Sequence, residues 1–248
     1  MDLTKEALCY ISENAIRPQD RILEMPANES AVVIDGNGNA KRLDPQVYLA
    51  KEPIEISTLS GLVDYIKSNL DISSPKILQI SDEQKILLKG QLEVNGEREL
   101  LAMAIAIIPR FNFNTPIDVE QFNIALQSKF VENSDRDILL KVIGNLTEDS
   151  IRTTGDDGVS QAVTIKQGIA TAADVKVPNP VTLAPYRTFI EVEQPESKFI
   201  FRMSPGPEAA IYEADGGAWR IKAIQNIKDY LQRKLQTEVD SGMIVILA

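Results

Sequence analysis

Histidine is absent from all 248 residues. With it go the commonest general base, the commonest metal ligand and the usual switch near neutral pH. A Ser-His-Asp or Cys-His couple cannot be assembled within one chain, nor can a zinc site that needs imidazole. Cysteine is nearly absent too. Cys9 stands alone, so no intramolecular disulfide and no thiolate cluster can form. Between Leu8 and Tyr10 in a helical pattern, it reads as a small buried or half-buried filler, not as a nucleophile. No apolar run approaches the roughly 20 residues that cross a bilayer. Met1-Asp2-Leu3-Thr4-Lys5-Glu6 lacks the cationic start and apolar stretch of a signal peptide. Both observations point to a cytoplasmic protein. Carboxylate, lysine, tyrosine and arginine chemistry stays open, but the balance moves away from an enzyme.

Positive charge is also short: 26 Lys and Arg against 36 Asp and Glu leave a formal charge of −10. Such a field opposes non-specific binding to nucleic acid or to an anionic membrane. Mimicry of a nucleic-acid backbone would need the acids gathered on one face, whereas here they are interleaved with lysines. Hydrophobic residues at 44% and charged residues at 25% describe an ordinary globular chain, long enough to bury a full core.

What is present reads as clustered helices and strands. Leu3, Ala7, Tyr10, Ile11 and Ala15 predict an amphipathic first helix, ended by Arg17-Pro18. Ala31 to Ile34 is a short strand, and Gly36-Asn37-Gly38-Asn39 is turn chemistry before a second extended segment. Ser57-Thr58 caps a helix whose stripe is Leu59, Leu62, Val63, Ile66 and Leu70. Three short strands are expected at Lys76 to Ile80, Lys85 to Leu88 and Gln91 to Val94. The hairpin signal Asn95-Gly96 then leads into Glu99 to Ile108. Thr115-Pro116 predicts a helix start with proline at its first position, running to about Phe130. Ser134-Asp135-Arg136-Asp137 opens another, closed at Gly144-Asn145. Leu146 to Ile211 is β-like. Trp219, Ala223, Ile227, Leu231 and Leu235 then form one stripe of a long last helix, and Met243 to Leu247 is a final apolar strand. That strand is paired either inside a sheet or against another subunit. Clustering of like elements predicts an α+β fold: mainly antiparallel sheets, about five helices, and a long C-terminal helix followed by a strand. Residues 1–248 read as one domain with a possible junction near 109–116.

Four motifs invite a chemical reading. Gly36-Asn37-Gly38-Asn39-Ala40-Lys41 lacks the third glycine and the helix of a dinucleotide loop, and the terminal Gly-Lys-Ser/Thr of a P-loop, so it is a hairpin turn. Gly155-Asp156-Asp157-Gly158 lacks the spaced oxygens of a calcium loop and reads as a hairpin tip. Asp215-Gly216-Gly217 precedes a helix bearing Arg220 and Lys222, which allows an anion site at the helix start. Residues 216–236 hold five cations against Asp229 alone, a net charge of +4. Equally, Asp215 can simply cap the helix while the basic residues face solvent. Glu191 and Glu193, two apart in an expected strand, share a face and could hold Mg²⁺ or divide acid and base roles. Structural ion pairing with Arg187 and Arg202 accounts for them as well. No cofactor and no bound metal are expected.

Three stretches, taken in order, carry a resemblance. They are Thr58-Leu59-Ser60-Gly61-Leu62-Val63-Asp64-Tyr65-Ile66, then Leu183-Ala184-Pro185-Tyr186-Arg187-Thr188-Phe189 with Glu191-Val192-Glu193-Gln194-Pro195, and Phe199-Ile200-Phe201-Arg202. Over roughly residues 55 to 240 the chain resembles the YfdQ-like family of phage and prophage proteins. The resemblance implies a phage origin and an intracellular role, and no particular chemistry. The expected function is therefore binding without catalysis: a homo-oligomer that occupies a host defence factor or scaffolds a phage process. An accessory of phage DNA recombination or replication, touching nucleic acid through the basic last helix, is the alternative. A carboxylate and Mg²⁺ phosphoesterase using Glu191, Glu193 and Asp215 is a third.

Overall fold

A computed structural model describes residues 4–15, 31–34, 39–43, 49–93, 96–144, 151–156, 161–167, 170–204 and 208–248. In chain order, α1 (Lys5–Asn14) precedes β1 (Ala31–Ile34), β2 (Ala40–Leu43) and β3 (Ile54–Ile56). Helix α2 (Leu59–Ser68) leads to β4 (Lys76–Ile80), β5 (Lys85–Leu92), β6 (Arg98–Ile105) and the short β7 (Ile117–Asp118). Helices α3 (Val119–Lys129) and α4 (Ser134–Gly144) precede β8 (Ile151–Asp156), β9 (Gln161–Gln167) and β10 (Ala170–Lys176). After β11 (Val181–Leu183), β12 (Ser197–Ser204) and β13 (Glu208–Glu213) come α5 (Trp219–Lys234), α6 (Gln236–Asp240) and β14 (Ile244–Leu247). The chain is thus an α+β protein in which antiparallel pairing predominates and a long helix precedes the final strand.

The chain divides into two compact units, one of Met1–Lys51 with Gly90–Glu99 and one of Glu52–Lys89 with Leu100–Ala248. In the smaller unit, Thr4 caps α1 by accepting from the Ala7 N–H at 3.3 Å. β1 and β2 pair antiparallel, Ala31 opposite Leu43. The turn residues Gly36-Asn37-Gly38 between them lie outside the described residues. Contrary to expectation Cys9 is exposed, as are its stripe neighbours Tyr10 and Ile11. Gly96 takes φ +85, the left-handed conformation that the expected hairpin requires, with its N–H on the Glu93 carbonyl.

The larger unit holds two separate cores. A five-stranded sheet in the order β14-β4-β5-β6-β3 carries α2 and α5 over the first. Its edges, β14 on β4 and β3 on β6, pair in parallel, while β4 and β5 are antiparallel. Alternation along β4, with Lys76, Leu78 and Ile80 buried, shows the period of two that a core-facing strand needs. Leu59, Leu62, Val63 and Ile66 of α2 meet Ile227, Leu231 and Leu235 against this sheet. Leu70 does not join them. Asn69 ends α2 in the left-handed conformation (φ 53), which throws Leu70 out to 78% exposure.

The second core lies between a four-stranded antiparallel sheet, β11-β12-β13-β7, and the helices α3 and α4. It is aromatic: Phe122, Phe130, Phe199 and Phe201 are all buried there. Pro116 does not begin a helix. β7 intervenes, and Asp118 caps α3 by accepting from the N–H groups of Glu120 and Gln121 at 2.9 and 3.3 Å. Likewise Asn133, one residue before the expected opening of α4, accepts from the Arg136 N–H at 2.9 Å. The two short strands expected between Lys85 and Val94 are one strand, β5. Gly90 does not break it, and a Cβ there would press on Glu99 of β6 at 3.3 Å. β8, β9 and β10 form an antiparallel meander; Gly155 and Asp156 of the expected hairpin tip lie in β8, while Asp157, Gly158 and Gly168 lie outside the described residues. Residues 106–113 pass from one core to the other, with Ala106 and Ile108 on the first and Phe111 and Phe113 on the second.

Candidate functional site

One side chain organises the ground where the two cores meet. Arg187 is 5% exposed, an unusual place for a charge unless it is paired. Its Nη1 donates to Glu213 Oε1 at 2.9 Å, and its Nη2 makes a short hydrogen bond to the Ser197 hydroxyl. The guanidinium carbon Cζ lies 3.8 Å from the Trp219 ring centroid, and 5.6 Å from those of Phe113 and Phe199. A planar, delocalised cation can stack on an indole and still fork to oxygen acceptors, which lysine cannot do. Burial lowers its pKa to about 10, against the opposing pull of Glu213 and Asp215, so it stays charged at neutral pH. Nε is buried without a hydrogen-bond partner among the described residues.

The loop that delivers Arg187 is tied by one buried amide. Gln194 Oε1 accepts from the N–H groups of Arg187 and Thr188 at 3.0 and 3.3 Å. Its Nε2 donates to the carbonyls of Phe189 and Val192 at 3.0 and 3.2 Å. Trp219 arrives at the start of α5. Asp215 accepts from the Gly217 N–H at 3.0 Å and from the Trp219 N–H at 3.4 Å. Gly216 and Gly217 take φ +62 and +83, conformations that L side chains rarely adopt. A Cβ on Gly217 would also meet the Arg220 guanidinium at 2.7 Å. Arg220 stacks on Trp219 at 5.0 Å and pairs through Nε with Glu83 Oε1 at 3.2 Å.

Burial alone would raise the pKa of Asp215. The N–H of Gly217, the Ser197 hydroxyl, the N–H of Trp219 and the Arg187 charge outweigh it and hold the carboxyl below its ordinary 3.8. A carboxyl depressed on folding stabilises the protein above its unfolded-state pKa, and that contribution disappears as pH falls through the lower folded value. Asp215→Asn keeps an oxygen for the Gly217 and Trp219 N–H groups but loses the charge. It is expected to cost about 1 kcal/mol at pH 7. In urea titrations the gap to the parent should close below about pH 4; a gap that persists unchanged at pH 3 rules this account out.

The expected sites are regrouped. Asp215, Gly216, Gly217, Arg220 and Arg187 come together around Trp219; Ala218, not Asp215, holds the N-cap position of α5, and Asp215 ties the preceding turn. Lys222 is exposed on a different groove, shared with Glu132, Glu193 and Glu196. Glu191 and Glu193 are not on a strand, because residues 190–192 form a turn. Glu191 reaches α2 instead, its carboxylate accepting from the Leu59 N–H at 2.6 Å and the Ser60 N–H at 2.8 Å. Glu193 is exposed and offers its main-chain carbonyl to Asn226 at 2.9 Å. Arg202, in β12, places a buried Nη1 without a partner among the described residues and meets neither glutamate in an ion pair there. No group of three or more acids or Cys among the described residues could hold a metal ion.

Beside Arg187 opens a cavity of about 360 Å³, within the small-molecule range. Ile108, Pro109, Phe111, Phe113 and Pro185 give it an apolar wall, and Arg110, Lys129, Tyr186, Glu83 and Glu213 its polar rim. Sequence reading missed Phe111, Phe113, Glu213 and Ser197. The one available signal was Arg110-Phe111-Asn112-Phe113, a cation beside two aromatics in a proline-bracketed stretch. No family model, no curated protein and no solved structure matches the chain.

Proposed function

We propose that this chain is a non-enzymatic binding protein of phage origin, acting inside the cell as a homo-oligomer, with the Arg187–Trp219 cavity as its recognition site. One observation carries the reading: each carboxylate around the cavity already holds a structural partner. Glu213 neutralises Arg187, Glu83 holds Arg220, and Asp215 ties the turn ahead of α5. A general base needs a carboxylate with room to take a proton from a substrate. Glu213 and Glu83 each give one oxygen to a cation, and Asp215 accepts from two N–H groups, so all three carboxylates are engaged in positioning. The phage origin rests on the sequence resemblance alone. No helix among the described residues is long and apolar enough to cross a membrane.

Self-association is supported by β14. Ile244-Val245-Ile246-Leu247 carries no charge, lies at the outer edge of its sheet, and leaves Val245 and Leu247 47% and 49% exposed. An uncharged apolar edge is a template for another strand unless it is covered, and a second copy across a twofold axis covers both edges at once. Light scattering on a sizing column is expected to give a dimer or larger. Val245→Lys should raise its dissociation constant at least about tenfold by burying a charge. A clean monomer of the parent at tens of micromolar removes self-association from the reading. Turnover of nucleic acid or nucleotides with Mg²⁺ or Mn²⁺, lost in Glu213→Gln, removes the non-enzymatic part.

The DNA-accessory reading ranks below this one on charge. Along α5, Arg220 is committed to Glu83, and the groove that takes in Arg233 is lined by Glu191, Glu193 and Asp229, a net charge of −2. Phosphates gain little from such a face.

A further inference from the structure

We propose that the cavity beside Arg187 binds a small amphipathic organic anion: a carboxylate or phosphate head on an apolar, ring-sized body. The inference rests on the reading of this cavity as a recognition site and adds the chemistry of what it recognises. The contrast in local charge is the first ground. The protein carries −10, and two other grooves follow that sign. One sets Glu191, Glu193 and Asp229 against Arg233, and the other sets Glu132, Glu193 and Glu196 against Lys222, each a net −2. The Arg187 cavity reverses it. Four cations, Arg110, Lys129, Arg187 and Arg220, face two carboxylates, Glu83 and Glu213, for a net +2. Concave walls of low dielectric focus such a field and concentrate counter-ions.

The second ground is which cations are spoken for. Arg187 and Arg220 hold Glu213 and Glu83. Lys129 Nζ donates only to the uncharged main-chain carbonyl of Arg110, at 2.6 Å, and the Arg110 guanidinium has no partner among the described residues. Two uncompensated cations therefore line the same cavity, and Lys129 Nζ is held on the main chain of Arg110. An anionic head between them would make charge-assisted hydrogen bonds, the strong class. The side chains of Ile108, Pro109, Phe111, Phe113 and Pro185 offer nothing to hydrogen-bond and suit an apolar body. Free inorganic phosphate would leave that wall empty. A neutral ring would leave the two rim cations unsatisfied.

Trp219 is the only tryptophan in the chain and lines this cavity, so its emission reports occupancy directly. Four probes of similar size separate the possibilities: 3-phenylpropionate, phenyl phosphate, 3-phenylpropanol and 3-phenylpropylamine, each titrated into the full chain at low salt. Saturable change is expected with the two anions, at least about tenfold tighter than with the alcohol, and none with the amine. Which anion binds tighter tells a carboxylate source from a phosphate source. Arg110→Gln and Lys129→Gln, both at partly exposed or exposed positions, should each weaken anion binding about tenfold while leaving the urea midpoint unchanged. Flat titrations to millimolar, equal affinity for anion and alcohol, or an anion preference untouched by both variants would each overturn the proposal. A failure here leaves oligomer size and absence of turnover as they were, so it is distinguishable from failure of the wider reading.

Discussion

Arg187→Met is expected to destabilise the protein by about 3 kcal/mol in equilibrium urea unfolding at pH 7. Methionine roughly keeps the volume of the aliphatic stem, so the variant isolates what the guanidinium does. Three partners lose by its removal. Glu213 loses its cation at 2.9 Å, the Ser197 hydroxyl loses its donor, and the Trp219 ring loses the guanidinium whose Cζ lies 3.8 Å from its centroid. Breaking a fully buried pair costs about 3–5 kcal/mol, because the surviving charge stays desolvated. Glu213 is about one-third exposed and can recover some water, which places this case at the lower end of that range. Arg187→Lys should fall between parent and methionine, retaining the charge but not the fork or the stacking. A methionine variant within about 1 kcal/mol of the parent would mean that the arginine is a passenger.

Phe199→Ala is expected to cost about 3–5 kcal/mol by the same measurement. Phe199 is wholly buried in the second core and stacks on Phe113 with centroids 5.5 Å apart and planes 12° from parallel. Its removal opens a space that neighbours cannot close, since β12 is pinned on both sides, Phe199 lying opposite Val181 of β11 and Glu213 of β13. Because Phe199 also faces Arg187 at 5.6 Å, its loss should reach the Arg187 cavity. The double variant with Arg187→Met is expected to be less destabilised than the two single losses added together, as befits residues in contact. Strict additivity would show that the aromatic core and the arginine are energetically separate.

How much of this was legible depends on the distance between partners. The stripe of α5 from Trp219 to Leu235 was readable because every member answers to one helical period, and all five residues are buried. Thr58 was readable as a cap, and Asp215 as an acceptor just ahead of α5, for a similar reason: each acts on N–H groups two to four residues away. Glu191 was not. It caps α2 from 132 residues further along the chain, and no local spacing records that. Arg187 stands close to Glu191 and Glu193 in sequence, yet its partner in space is Glu213, which reaches it only once β12 and β13 pair. Pro116 misled in the opposite way. A proline suits the first turn of a helix and equally suits the entry to an edge strand, and the β7 pairing with β13 decided between them.

The two edges of the five-stranded sheet have a consequence for the order in which the molecule folds. β4 and β5 are neighbours in sequence and can zip together early, with little chain entropy lost in closing their turn. β14 must find β4 in parallel register, Ile244 beside Lys76, across most of the chain that separates them. Contacts of such long range form late and slow the search. Until they form, the hydrogen-bonding edge of β4 that β14 protects stays open. Refolding from urea should therefore show sheet content ahead of the burial of Ile244, and a chaperone that shields strands would act in that interval.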